Sequence, residues 1–284
     1  MYVKKVAVIG AGTMGADIAY TVAMANIPVV LRDVDEKALE RAKSHIQKLL
    51  DGRVAKGRLS GPDAAQRMSR IVFSADASAL KDVSVAIEAV PEKMALKQKV
   101  FQELDRLLPP LAILATNTSA LSVTEMASVT SRPTRVAGMH FFYPAHMMKL
   151  VEIIAGEQTD KDVLDTLSRL SEEIRKIPVA VKECPGFVVN RVLTASMAEV
   201  MRFKVEYGYS AEEIDQTIVK HHVAPLGPFV LADALGLDIA WDVAETLQAA
   251  YGDRFDPGPE LPALVAAHHL GVKTGQGFYP YSRS

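Results

Sequence analysis

The sequence predicts an α/β protein, a doubly wound domain of parallel strands and helices followed by an all-helical domain. Short apolar runs alternate with helical stretches up to residue 182. A glycine-rich turn directly follows the first of these runs. Beyond residue 185 nothing reads clearly as a strand, while several long stretches read as helices. A length of 284 residues holds more than one average domain and fewer than three. The boundary is expected at Cys184-Pro185, giving domains 1–184 and 185–284.

Residues 3–9, rich in valine, suit a parallel strand buried on both faces. Gly10-Ala-Gly-Thr-Met-Gly15 follows, then a helix over about 16–25. A second strand at 28–31 ends at Arg32-Asp33. A charge-rich helical pattern covers 36–56, with Gly57 as its stop and a short helix near 63–70. Further strands are expected at 71–73, 83–87, 111–115, 136–139, 150–155 and 178–182. In the second domain the helices are 187–207, 211–220 and 227–251, with a short one near 261–269.

Composition narrows the function. Hydrophobic residues at 49% are enough for a large core, and charged residues at 23% are those of a soluble globular chain. Lys+Arg 32 against Asp+Glu 34 leaves a net charge of −2, which argues against a nucleic-acid partner. The one cysteine, Cys184, excludes an internal disulfide and a cysteine-rich metal site, and it fits a reducing compartment. With MYVKKVAVIG leading straight into the first apolar run, no signal peptide is expected. The longest uncharged stretch, 107–124, contains Pro109, Pro110 and several polar groups, so it is not a membrane span. A cytoplasmic protein with no membrane partner and no metal is expected.

Gly10-x-Gly12-x-x-Gly15 sits between a strand and a helix, and Asp33 closes the next strand 18 residues beyond Gly15. This is the context of a Rossmann-type dinucleotide site. Gly10 allows the tight turn, Gly12 lets the backbone approach a pyrophosphate, and Gly15 lets helix pack close to strand. With Thr13 and Met14 they form the expected cofactor loop, backed by the donors of a helix N-terminus. Asp33 can accept from ribose hydroxyls and repel a 2′-phosphate, favouring NAD, although Arg32 beside it could accommodate that phosphate. A flavin fits the same fingerprint.

The strand at 111–115 ends in Thr116-Asn117-Thr118-Ser119, polar groups at the edge where open α/β sheets bind ligands. The plainer alternative is that Thr118 or Ser119 caps the helix that follows. His140 ends another strand and Glu152 begins the next. Side by side they would be mutual partners in apolar surroundings, with Glu152 fixing the tautomer and His140 serving as general base.

From GAGTMG at 10–15 and IEAVPE at 87–92 through TNTSALSVTE at 116–125 and GMHFFYPAHMMKLVEII at 138–154, the chain resembles the 3-hydroxyacyl-CoA dehydrogenases of the 3-hydroxybutyryl-CoA type. PGFVVNR at 185–191, GPFVLADALGLD at 227–238 and KTGQGFYPY at 273–281 continue the likeness in family order. The resemblance implies His140 as catalytic base and Glu152 as the acid that orients it. It places Ser119 and Asn190 near the C3 oxygen of the substrate, and Asn117 near the nicotinamide. It also places Glu92 and Lys97 where the family contacts the cofactor, though both could be an ordinary charge pair at an exposed helix start. For the CoA grip Lys48, Arg53, Lys56 and Arg58 are available, and Lys56 is the choice. One departure is Tyr143, where the family usually carries Asn. Either its phenol supplies an equivalent hydrogen bond or the pocket differs in shape.

The expected function is NAD-dependent interconversion of (S)-3-hydroxyacyl-CoA and 3-oxoacyl-CoA by a homodimer whose helical domain closes the cleft. Alternatives are a dehydrogenase of a small free hydroxy acid and a non-catalytic NAD-binding protein.

Overall fold

A computed structural model describes residues 2–282. The chain divides into two compact units, the first running to Glu183 and the second starting at Cys184.

The first unit alternates β1 (Val6–Ile9), α1 (Thr13–Met24), β2 (Val29–Arg32), α2 (Glu36–Ala55), α3 (Gly61–Ser69), β3 (Ile71–Ser74), β4 (Val85–Glu88) and α4 (Met94–Leu107). It continues with β5 (Ile113–Thr116), α5 (Val123–Ala127), β6 (Val136–Phe141), β7 (Leu150–Ala155), α6 (Lys161–Glu173) and β8 (Ile177–Lys182). The strands form one sheet in the order β3-β2-β1-β4-β5-β6-β7-β8. β1 to β6 run parallel, and every residue of β1, β2, β4, β5 and β6 is buried. This is why these strands read as continuous apolar runs.

The sheet reverses at β7, which pairs antiparallel with β6, and β8 then runs parallel to β7. The cause is chain length. Only eight residues join β6 to β7, and a parallel return needs a crossover of about a dozen or more. The helices cover the sheet through apolar stripes, as in α2, where Ala38, Leu39, Ala42, Ile46 and Leu50 are buried at helical spacing. Asp35 starts that helix by accepting the Lys37 N–H at 2.9 Å.

The second unit comprises α7 (Val189–Tyr207), α8 (Ala211–Lys220), α9 (Pro228–Leu235), α10 (Leu237–Tyr251) and α11 (Glu260–Ala266). The helix expected over 227–251 is two helices. Gly236 between them has φ +106°, which no continuing α-helix can contain. Met201, Ile214, Phe229, Leu237 and Leu261 form the core of this unit.

Two buried carboxylates complete its packing. Asp215 of α8 accepts the Phe229 and Val230 N–H groups at 3.1 and 3.0 Å, capping α9 where Gly227 has no side chain to do so. It also accepts from the Tyr279 hydroxyl at 2.9 Å. Asp233, 1% exposed, accepts the N–H groups of Phe278 and Tyr279 and the Tyr281 hydroxyl at 2.9, 3.0 and 3.0 Å. Burial, followed by these bonds to carboxylates, pushes both phenols above their ordinary range. Asp233→Ala is expected to lower stability by roughly 3 kcal/mol, since it strands two backbone donors. Urea denaturation measures this, and an unchanged midpoint would show that the segment at 278–281 does not depend on the carboxylate.

Candidate active site

The carboxyl ends of β1, β2, β4, β5 and β6 share one edge of the sheet. At the end of β1, Gly10 has φ +106°, and a Cβ there would lie 2.7 Å from the Ala89 carbonyl oxygen. A Cβ at Gly15 would lie 1.8 Å from the Gly10 carbonyl oxygen. Both glycines are therefore required by the turn itself. Gly12 differs, because a Cβ there would meet nothing within 4 Å. That open space is what a pyrophosphate approaching the backbone requires, and Thr13, Met14 and Gly15 form the first turn of α1 beneath it.

Asp33 follows β2 and reaches back to this loop. Its Oδ2 accepts the Ala11 N–H at 2.7 Å and its Oδ1 the Asp35 N–H at 2.9 Å. The carboxylate is thus fixed at the loop, half-buried, with acceptor capacity remaining for ribose hydroxyls. Arg32 is committed elsewhere: its Nη2 donates to Glu103 Oε1 at 2.8 Å, and its side chain is only 9% exposed. The loop and Asp33 fit an adenine dinucleotide without a 2′-phosphate.

β6 and β7 place His140 directly opposite Glu152 in register. His140 Nδ1 lies 2.9 Å from Glu152 Oε2, with the two side chains 5% and 1% exposed. On the other side of the ring, Nε2 lies 3.2 Å from Ser119 Oγ. Phe142 packs on the imidazole with ring centroids 4.5 Å apart. The cap of α5 is Ser122, whose hydroxyl accepts the Glu125 N–H. Neither Thr118 nor Ser119 is therefore that cap. Asn117 Oδ1 accepts the Phe141 N–H at 2.8 Å, tying the end of β5 to the end of β6.

Glu92 and Lys97 occupy the same edge, but Lys97 is not on an exposed helix start. Its ammonium is buried and donates to both oxygens of Glu88 at 2.7 and 2.9 Å. Glu88, the last residue of β4, also accepts from Thr116 Oγ1 at 2.7 Å and from the Val90 N–H at 2.7 Å. Burial raises the Glu88 carboxyl against the opposing pull of Lys97. Sequence reasoning did not single out Glu88. Its signal was an acid closing an otherwise apolar strand, which requires a buried partner. Lys97 extends 3.2 Å to Glu92, and Glu92 also accepts from the Thr118 hydroxyl and, at 2.9 Å, from the Ser119 N–H. Burial pushes the Glu92 carboxyl up, but Lys97 and these hydrogen bonds outweigh it and hold the group below its ordinary range. One continuous network thus runs from Lys97 through Glu92 to Ser119 and His140.

Lys56 is exposed and caps the far end of α2, about 30 Å along the helix from Asp35. Asn190 belongs to the second unit, half-buried in the first turn of α7. Tyr143 is 51% exposed in the connection between β6 and β7.

A family model described as the NAD binding domain of 3-hydroxyacyl-CoA dehydrogenase matches residues 5–184, and one for the C-terminal domain of the same family matches 186–281. The chain belongs to the 3-hydroxyacyl-CoA dehydrogenase family. It is 41% identical over 280 residues to the 3-hydroxybutyryl-CoA dehydrogenase of Clostridioides difficile, covering 98% of this chain and 100% of that one. A probable 3-hydroxybutyryl-CoA dehydrogenase of Bacillus subtilis is 39% identical over 282 residues, covering 99% and 98%. The solved structure of (S)-3-hydroxybutyryl-CoA dehydrogenase from Ralstonia eutropha matches with a TM-score of 0.95 and 38% identity, covering 99% and 100%. As a member of this family the chain is an NAD-dependent dehydrogenase. No helix among the described residues is long and apolar enough to cross a membrane.

Asp33→Ala is expected to weaken NAD binding and to relax discrimination against NADP, as measured by affinities for both dinucleotides. A wild-type protein that already prefers NADP would refute the role of Asp33.

Proposed function

We propose that this dehydrogenase interconverts (S)-3-hydroxyacyl-CoA and 3-oxoacyl-CoA, with short acyl chains such as 3-hydroxybutyryl and acetoacetyl. The Ser119–His140–Glu152 series, at the same sheet edge as the dinucleotide loop, carries the reading. The names of the Clostridioides difficile and Ralstonia eutropha relatives support the substrate class.

Bound at the loop, NAD supplies the hydride acceptor for C3. The chain's residues handle the proton. Glu152 on Nδ1 selects the tautomer in which Nε2 is the basic nitrogen. His140 takes the C3 hydroxyl proton at Nε2 in oxidation and returns it in reduction. Ser119 holds the C3 oxygen and so sets the angle of attack, and the resemblance to the family assigns Asn190 to the same oxygen. Glu92, with Lys97 behind it, and Asn117 flank the cofactor at the nicotinamide end. Gly10, Gly12, Thr13, Met14, Gly15 and Asp33 hold its pyrophosphate and ribose.

Lys56 contacts a phosphate of CoA. Its place at the far end of α2 suits the part of an extended ligand most remote from C3. The enzyme works as a homodimer in the cytoplasm. Exposed apolar side chains of the second unit, including Val192, Leu193, Val205 and Tyr207, support self-association through that unit. The single free thiol, Cys184, suits a reducing compartment.

Lys56→Ala should raise KM for acetoacetyl-CoA with kcat little changed, because a contact remote from C3 binds ground and transition states alike. An unchanged KM would return Lys56 to the solvated surface.

Oxidation of NADH by acetoacetyl-CoA tests the reaction, and Glu152→Gln tests the dyad within it. In hydroxyl oxidation His140 begins neutral and ends as an imidazolium, so positive charge grows beside position 152. A carboxylate there favours the transition state over the ground state. The amide should lower kcat by roughly 10²–10⁴-fold while NAD affinity stays nearly intact. Near wild-type turnover in this variant would sink the dyad, and rapid turnover of a free hydroxy acid without CoA would overturn the substrate class.

A further inference from the structure

The eight residues joining β6 to β7 carry most of their bulk outward. Tyr143, Met147 and Met148 are 51%, 69% and 44% exposed, and Lys149 is exposed as well. A segment with so little apolar burial needs another means of holding its path. Two buried charged side chains provide it. Lys176, 7% exposed, donates to the carbonyl oxygens of Ala145 and Met148 at 2.5 and 2.7 Å. Asp17 of α1, 1% exposed, lies 2.7 Å through Oδ2 from His146 Nδ1. Its Oδ1 lies 2.8 Å from His45 Nε2 on α2, and Tyr20 packs edge-on against the His146 ring.

This cluster does not resemble a metal site. Each imidazole takes a different oxygen of the carboxylate, and among the described residues no group of three His, Cys, Asp or Glu could hold a metal ion. Burial pushes the Lys176 ammonium below its ordinary range, against an opposing pull from Asp17. The two anchors thus support each other electrostatically while gripping opposite kinds of group on the same segment.

What the segment connects gives the anchors their meaning. β6 ends at Phe141, one residue after His140, and the first residue of the segment, Phe142, packs on the His140 ring. It enters β7 two residues before Glu152. The path of 142–149 therefore bears on both members of the dyad.

We propose that His146, held by Asp17, is a positioning residue for the dehydrogenase reaction, fixing the β6–β7 connection so that Phe142 and the strand ends hold His140 at its working angle. The inference rests on the acyl-CoA reading above for its kinetic readout. Misplacing a reacting group by about 1 Å can cost up to about 100-fold in rate, whereas groups that bind the cofactor elsewhere are unaffected.

The test compares the wild-type protein with His146→Ala and His146→Asn. The amide nitrogen of asparagine falls where Nδ1 lies in histidine, so the second variant keeps a donor for Asp17. For His146→Ala, kcat with acetoacetyl-CoA should fall about tenfold, with KM and NADH affinity within about twofold of wild type. His146→Asn should recover most of the loss. A merely structural role would lower the melting temperature of both variants and leave kcat per folded molecule unchanged. That result, or an asparagine variant that folds but recovers nothing, overturns the proposal. Hydrogen exchange over residues 140–152 reads the anchor without substrate. It should quicken in His146→Ala, and unchanged exchange also overturns the proposal. A wild-type protein inactive on acetoacetyl-CoA would instead refute the reaction proposed above, leaving hydrogen exchange to decide the anchor.

Discussion

Glu152 carries its carboxylate into the interior with 1% of the side chain exposed, and a charge so placed is costly unless a partner is held against it. Its partner is His140, and the rest of the site is arranged around their meeting. A sheet that stayed parallel would put the carboxyl ends of all its strands at one edge, so an acid near the start of β7 would lie at the opposite edge from His140. The short connection after β6 forces the reversal, and antiparallel pairing then sets residue 152 opposite residue 140. Topology does here what sequence proximity could not.

The same physics recurs on β4, two strands from β6. Glu88 ends β4 fully buried, and Lys97, nine residues on, comes inward to meet it. Two buried acids, each with its own nitrogen partner, thus stand at the edge where the glycine loop lies. Thr116, Thr118 and Ser119 link them with hydroxyl groups, so the cofactor side and the proton-transfer side belong to one hydrogen-bonded network. Breaking such a network at one member leaves the others buried without a full set of partners, and its parts are therefore not independent.

Much of this was legible in the sequence because burial leaves a pattern. Strands buried on both faces read as apolar runs, and polar residues that interrupt or close such runs, among them Asp33, His140 and Glu152, stand out against them. The glycine loop was legible from its position between strand and helix. Other features had no comparable trace. Gly236 lies in a stretch whose apolar spacing is helical on both sides, so only its backbone angle reveals the break. Lys97 looks like any lysine on a helix, since its burial depends on a carboxylate contributed by another element. That Ser122, rather than Thr118 or Ser119, caps α5 turns on where the helix begins, which periodicity places only to within a few residues. Asp17 and His146 are 129 positions apart and meet only in the fold.

The two carboxylates of the helical unit bear on how the chain is made. Asp215 and Asp233 are enclosed by α8 and α9, yet several of their donors lie at 278–281, more than 40 residues further on. During synthesis the helices that enclose these acids emerge from the ribosome first, and the groups that satisfy Asp233 emerge much later. Until then, enclosing Asp233 strands a charge, whereas Asp215 already has the Phe229 and Val230 N–H groups, so the half-made unit has reason to remain open and hydrated around Asp233. The sheet unit, whose last strand ends at Lys182, faces no such wait. The chain is therefore expected to mature in two steps, with the helical unit closing only after translation has passed Tyr281.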